Sequence, residues 1–141
     1  MGTQIDLTLF AGISAPAAQT GLRGMVISAP TCEAASSGRP RLDVIPGSVT
    51  RYIVCPTILN ATTPPTGKPV TVTPDQGPAF TTLDQALRTP NDTTRVDVCV
   101  TKAELPRTVI AVTADGVWSV QLPVDACGFR RAVVETVLSR Y

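Results

Sequence analysis

Cys32, Cys55, Cys99 and Cys127 carry the only thiols of the chain, and no histidine accompanies them. No two of them form a Cys-x-x-Cys pair. A structural zinc site would need all four thiolates at unusually long spacings. Disulfides formed in an oxidising compartment are the more economical reading. Four cysteines allow three connectivities. Cys32–Cys55 and Cys99–Cys127 are expected, because each joins segments that read as sequential neighbours in a sheet or at its edge.

The other reactive side chains assemble into little. Without histidine there is no Ser-His or Cys-His nucleophile pair and no imidazole ligand. The P-loop and the Gly-x-Gly-x-x-Gly fingerprint are missing. Asp43, Asp97, Asp115 and Asp125 are available to pair as carboxylates. A turn explains Asp115, however, and a turn or helix entry explains Asp125. A non-enzymatic protein without metal or cofactor is expected. The stretch Leu105-Pro-Arg-Thr108 offers one more chemistry. It reads as an exposed loop between a disulfide-anchored strand and a hairpin. Presenting Pro106 and Arg107 rigidly, it would suit an extracellular serine-protease inhibitor, since rigidity spares binding energy otherwise lost to ordering. That is the alternative to a binding or scaffold role.

The elements that must hold these residues follow from composition and pattern. A chain of 141 residues is long enough for one domain with a real core. A formal charge of +1 gives no electrostatic case for nucleic acid. No apolar run approaches the roughly 20 residues needed to span a bilayer. Only Lys68 and Lys102 are lysines. The scattered arginines fit the codon usage of a GC-rich genome better than a dedicated carboxylate- or phosphate-binding surface. Scarce aromatics with abundant Val, Thr, Ala and Pro favour short strands and many turns.

The clearest local signal runs from Val109 to Leu122. Asp115-Gly116 between two apolar runs predicts a two-residue hairpin loop. The register then sets Thr113 against Trp118, Ala111 against Val120 and Val109 against Leu122. These six share a face that reads as core, with the lone tryptophan buried in it. Ile110 and Val112 lie on the other, half-covered face. Further strands are expected at Thr3–Phe10, Met25–Ser28, Leu42–Ile45, Val49–Cys55 and Arg95–Thr101. Val70–Thr73 is an edge strand, because Pro flanks it on both sides. Gly21–Gly24 reads as a turn and Pro30–Pro40 as a loop.

Thr82 and Gln85 have capping-box spacing and predict a helix of about two turns through Leu87. A terminal helix at about 129–139 places Phe129, Ala132, Val133 and Val137 on one stripe. The expected architecture is thus mainly β: an antiparallel, sandwich-like sheet with one short internal helix and a C-terminal helix. Residues 1–20 form an N-terminal strand and tether. Residues 21–141 form one disulfide-stabilised domain with a Pro/Thr-rich loop at 60–78. Leu7–Ala18 also reads as the end of a secretory signal with an Ala-x-Ala site.

The constellation Val49–Pro56, Leu83–Leu87, Val98-Cys99, Ala114–Trp118 and Asp125–Gly128 resembles a loose family of uncharacterised secreted proteins and lipoproteins of actinobacteria. The resemblance spans about residues 30–138 and rests on spacing. It implies an exported bacterial domain with two disulfides, and no activity. The functional expectation is a secreted or cell-surface binding or scaffold module, or a subunit of an extracellular assembly. Its partner would be a protein or a cell-envelope component. The N-terminal strand is expected either to fold back onto its own sheet or to dock on the edge of another chain, with Ile5, Leu7 and Leu9 filling alternate pockets.

Overall fold

A computed structural model describes residues 21–36, 42–57 and 67–141. The expected N-terminal strand and its Ile5, Leu7 and Leu9 lie outside these residues, as does the 60–66 part of the Pro/Thr-rich loop. Six strands form one antiparallel sheet: β1 (Arg23–Val26), β2 (Leu42–Val44), β3 (Val49–Val54), β4 (Val70–Val72), β5 (Val109–Thr113) and β6 (Gly116–Val120). Their order is β2-β1-β6-β5-β3-β4. Among the described residues the α-helices are α1 (Cys32–Ser36), α2 (Pro78–Leu87) and α3 (Ala132–Leu138), with a 3-10 turn at Pro74–Gln76 before α2. The protein is mainly β with minor helix, as its composition implies. Helices, not a second sheet, cover the sheet's two faces.

The β5–β6 hairpin pairs Ala111 with Trp118 and Thr113 with Gly116. The expected register is therefore wrong by two residues, because Ala114 and Asp115 form the turn instead of Asp115 and Gly116. The reason lies in the tryptophan. A Cβ on Gly116 would stand 3.1 Å from Trp118 Cη2, so the indole needs a glycine within the strand beside it. A slip of two preserves the alternation of faces. Val109, Ala111, Trp118 and Val120 accordingly all enter the main core.

That core lies between the sheet and the pair α2 and α3. Leu83, Ala86 and Leu87 from α2 meet Val134, Val137 and Leu138 from α3 over Tyr52, Val54 and Val109. A bulge at Thr50 brings Val49 to this face as well, since the pairing shifts by one residue between Val49 and Arg51. The Thr50 hydroxyl donates to the Val112 carbonyl at 3.0 Å across the irregularity. Tyr52 crosses the core to give its hydroxyl proton to Asp84 Oδ1 at 2.6 Å, and Arg88 Nε holds both oxygens of that carboxylate at 3.0 Å.

The second face is covered by α1. Ile27, Ile53 and Ile110 pack with Ala35 and Cys55 beneath it. This helix falls in a stretch read as loop. Thr31 supplies its start, its hydroxyl accepting the Ala34 N–H at 3.1 Å, three residues on, as an N-cap does.

Other boundaries also move. Leu22 is fully buried and Arg23 begins β1, so the turn expected at Gly21–Gly24 is absent. Helix α2 starts at Pro78, four residues before the expected cap. Gly77 (φ +66°) and Pro78 suit a helix entry better than Thr82, which makes no capping bond. Helix α3 starts at Ala132 and buries Val134, Val137 and Leu138. Val133 faces out, because Phe129 belongs to the preceding turn and not to the helix.

The strand expected at 95–101 does not form. Alternating valines satisfy a sequence pattern, but a strand also requires a partner edge. β5, which follows this segment in the chain, is already flanked by β3 and β6.

Candidate functional site

Residues 89–108 connect α2 to β5 outside the sheet, and the chain secures this connection at many points. Arg131 Nη1 donates to the Pro90 carbonyl at 3.0 Å. Asn91 Oδ1 accepts the Val124 N–H at 3.0 Å, and Asp92 N–H bonds the Val124 carbonyl at 2.9 Å. The Cys99–Cys127 disulfide (Cα–Cα 5.6 Å) fixes the middle. Lys102 Nζ sits 4.6 Å above the centre of the Phe129 ring. Glu104 accepts the Arg130 backbone N–H on both oxygens at 3.1 Å. Arg107 closes the series, with Nη1 donating to Thr57 Oγ1 at 2.7 Å and Nη2 to the Leu138 carbonyl at 3.2 Å.

The receiving side is equally defined. The turn 125–129 is folded around Asp125, whose Oδ1 accepts the N–H groups of Cys127 and Phe129 at 2.9 and 3.1 Å. This is the turn role expected of Asp125, and it presents Cys127 to Cys99.

Two features emerge from this arrangement. The first is a row of apolar side chains left in water: Val96, Val98 and Val100 are all exposed, the last two by 83% and 74%. Residues 95–101 enter no backbone hydrogen bond among the described residues. The second is a cleft of about 350 Å³ between residues 102–107 and the end of α3. Lys102, Arg107 and Arg130 line it together with Glu104 and Glu135. Arg130 Nε is ion-paired with Glu135 Oε1. Arg107 has no carboxylate at ion-pair distance among the described residues, and its Nε is buried without a partner. Burial, then the like charge of Arg130, hold the Arg107 guanidinium below its ordinary pKa, against the pull of Glu135.

The expected site residues sort as follows. Both disulfides form with the expected pairing, Cys32–Cys55 having a Cα–Cα distance of 5.9 Å. They lie in different settings: Cys55 is buried under α1, whereas Cys99 is exposed. Pro106 is exposed, but Arg107 is turned into the body of the protein. The exposed presentation expected of Arg107 is corrected by the Thr57 and Leu138 bonds, which an outward, substrate-like arginine would not make. Thr57, Glu104 and Arg130 carry no sequence signal as site residues. They come together across separations of 50 residues for Thr57–Arg107 and 26 for Glu104–Arg130. Among the described residues, no three of His, Cys, Asp and Glu are grouped to hold a metal ion, and no helix is long and apolar enough to cross a membrane. No protein-family model matches the chain, and comparison with curated proteins and with solved structures gives no match.

Proposed function

We propose that the chain is an exported, non-enzymatic binding module that presents residues 95–101 to a protein partner. The observation that carries this reading is the exposure of Val98 and Val100 on a segment outside the sheet that is anchored to the body by Cys99–Cys127. Neighbouring apolar side chains in water favour a covering surface. Burying each valine contributes on the order of 1.5 kcal/mol. The anchoring lowers the entropy lost on docking, because the disulfide already restricts the segment. Its unpaired backbone groups suit addition to the edge of a partner's sheet, with alternate valines entering pockets.

Two disulfides fit an oxidising compartment. Export, and an origin like that of the actinobacterial proteins the chain resembles, belong to the same proposal. The test is a Val98→Asp/Val100→Asp double variant, compared with wild type by cross-linking in the native culture medium and by sedimentation of the pure protein. We expect wild type to be cross-linked to a discrete partner and the variant to lose it, with disulfides and melting temperature unchanged. An identical cross-linking pattern for both proteins overturns the proposal. So does a marked fall in the variant's melting temperature, which would place the valines in the protein's own core.

A further inference from the structure

The cleft beside Arg107 holds a guanidinium without an ion-pair partner among the described residues. We infer that this cleft binds a small monocarboxylate with an apolar body, its carboxylate held by the Arg107 guanidinium. This inference goes beyond the presentation of residues 95–101 and does not depend on it.

The first argument is charge. The cleft is lined by three cations, Lys102, Arg107 and Arg130, and two carboxylates, Glu104 and Glu135. Glu135 is taken by Arg130 Nε, and Glu104 by the Arg130 backbone N–H. Lys102 rests on the Phe129 ring. One positive charge remains in excess, and one carboxylate neutralises it, whereas a phosphate dianion would overshoot.

The second argument is geometry. Arg107 spends one N–H of each terminal nitrogen on Thr57 and Leu138. One N–H on each remains to donate to a carboxylate oxygen. Thr57 and Ser139 add hydroxyls to the lining, and Leu105 and Leu138 add apolar wall for a hydrocarbon body. Capping the last carbonyls of α3 explains the Leu138 bond alone. It requires neither an adjacent second arginine nor an open volume of about 350 Å³.

The source of the carboxylate is either a free acid or the C-terminus of a peptide, and the test separates them. The oxidised full chain is titrated with N-acetyl-leucine, with a short peptide ending in free leucine and with N-acetyl-leucinamide, while backbone amide shifts are followed by NMR. Inorganic phosphate is titrated in parallel. Saturable shifts at residues 102–107 and 138–139 are expected from the carboxylates and not from the amide. Arg107→Gln should weaken this binding by roughly tenfold or more. A peptide that binds tighter than acetyl-leucine identifies a chain terminus as the ligand; equal binding identifies a free acid. The inference is overturned if neither carboxylate gives saturable shifts, if the amide binds as well as the acid, or if phosphate binds tighter than both carboxylates. Should Arg107→Gln fail to fold, the acid-versus-amide comparison on wild type decides.

Discussion

Replacing both cysteines of one disulfide by alanine, in two separate variants, separates chain entropy from packing in this fold. The bridges close loops of similar size, with sequence separations of 23 for Cys32–Cys55 and 28 for Cys99–Cys127. The chain-entropy relation assigns each about 3.5 kcal/mol, with the longer loop ahead by only about 0.2 kcal/mol. Entropy alone therefore predicts nearly equal losses. The surroundings differ far more. Cys99 lies in an exposed segment without backbone bonds, so its loss acts mainly on the unfolded chain. Cys32 is the first residue of α1, a five-residue helix too short to persist alone. Without its bridge, α1 lifts from Ile27, Ile53 and Ile110. Uncovering the equivalent of one isoleucine adds about 1.5–3 kcal/mol. We expect Cys32→Ala/Cys55→Ala to lose about 5–6 kcal/mol and Cys99→Ala/Cys127→Ala about 3–4 kcal/mol. Urea unfolding followed by Trp118 fluorescence measures both. If the Cys99/Cys127 variant is at least as destabilised as the other, α1 is not a lid and the reasoning fails.

Three further outcomes follow from single contacts. Gly24→Ala should destabilise by about 1–3 kcal/mol in the same assay, because its Cβ would stand 2.5 Å from the Ser119 carbonyl oxygen and force β1 from β6. Trp118→Ala should lose about 3–5 kcal/mol, and native Trp118 fluorescence should resist iodide quenching, since only 6% of the residue is exposed. Burial, reinforced by the bond to Asp84, holds the Tyr52 phenol well above its ordinary pKa of 10.0, so this stabilisation is complete below that pH and is lost as pH rises beyond it. Stability measured from pH 9 to 12 should therefore fall less steeply in Tyr52→Phe than in wild type.

Some of this fold is legible in the sequence for a definite reason. Face assignments in the β5–β6 hairpin survive a wrong register because side chains alternate with a period of two, and the error was two residues. β3 and the edge strand β4 were legible from β-branched runs and flanking prolines. The disulfide pairing is as expected, but sheet adjacency does not explain it, since Cys32 starts α1 and Cys99 and Cys127 lie outside the strands. Helix α1 was missed although Thr31 marks its start, since five residues are too few to show a period. The α3 stripe was misplaced because the Asp125 turn extends to Phe129, delaying the helix to Ala132. The arginines looked scattered because the convergence of Arg107 and Arg130 depends on where α3 docks, and no local pattern encodes that.

The 95–101 segment is where sequence pattern and structure disagree most, and the disagreement has physical content. Val96, Val98 and Val100 alternate as strand residues do, and β-branched side chains favour extended backbone. The strand that follows this segment offers it no edge: β5 is flanked by β3 and β6, and the open edges of the sheet lie at β2 and β4. The chain could avoid the exposure with polar residues at these three positions, at little expense to a core they do not enter. It has valines there, and it anchors the segment through Cys99 to a turn organised by Asp125. Anchoring a loop that makes no ladder contacts adds stability through the unfolded chain, yet it does nothing to hide the valines. An edge on another molecule would supply both missing halves at once, the backbone pairing and the apolar cover. The pattern of a strand is thus present in the sequence, while no strand of the described sheet pairs with it.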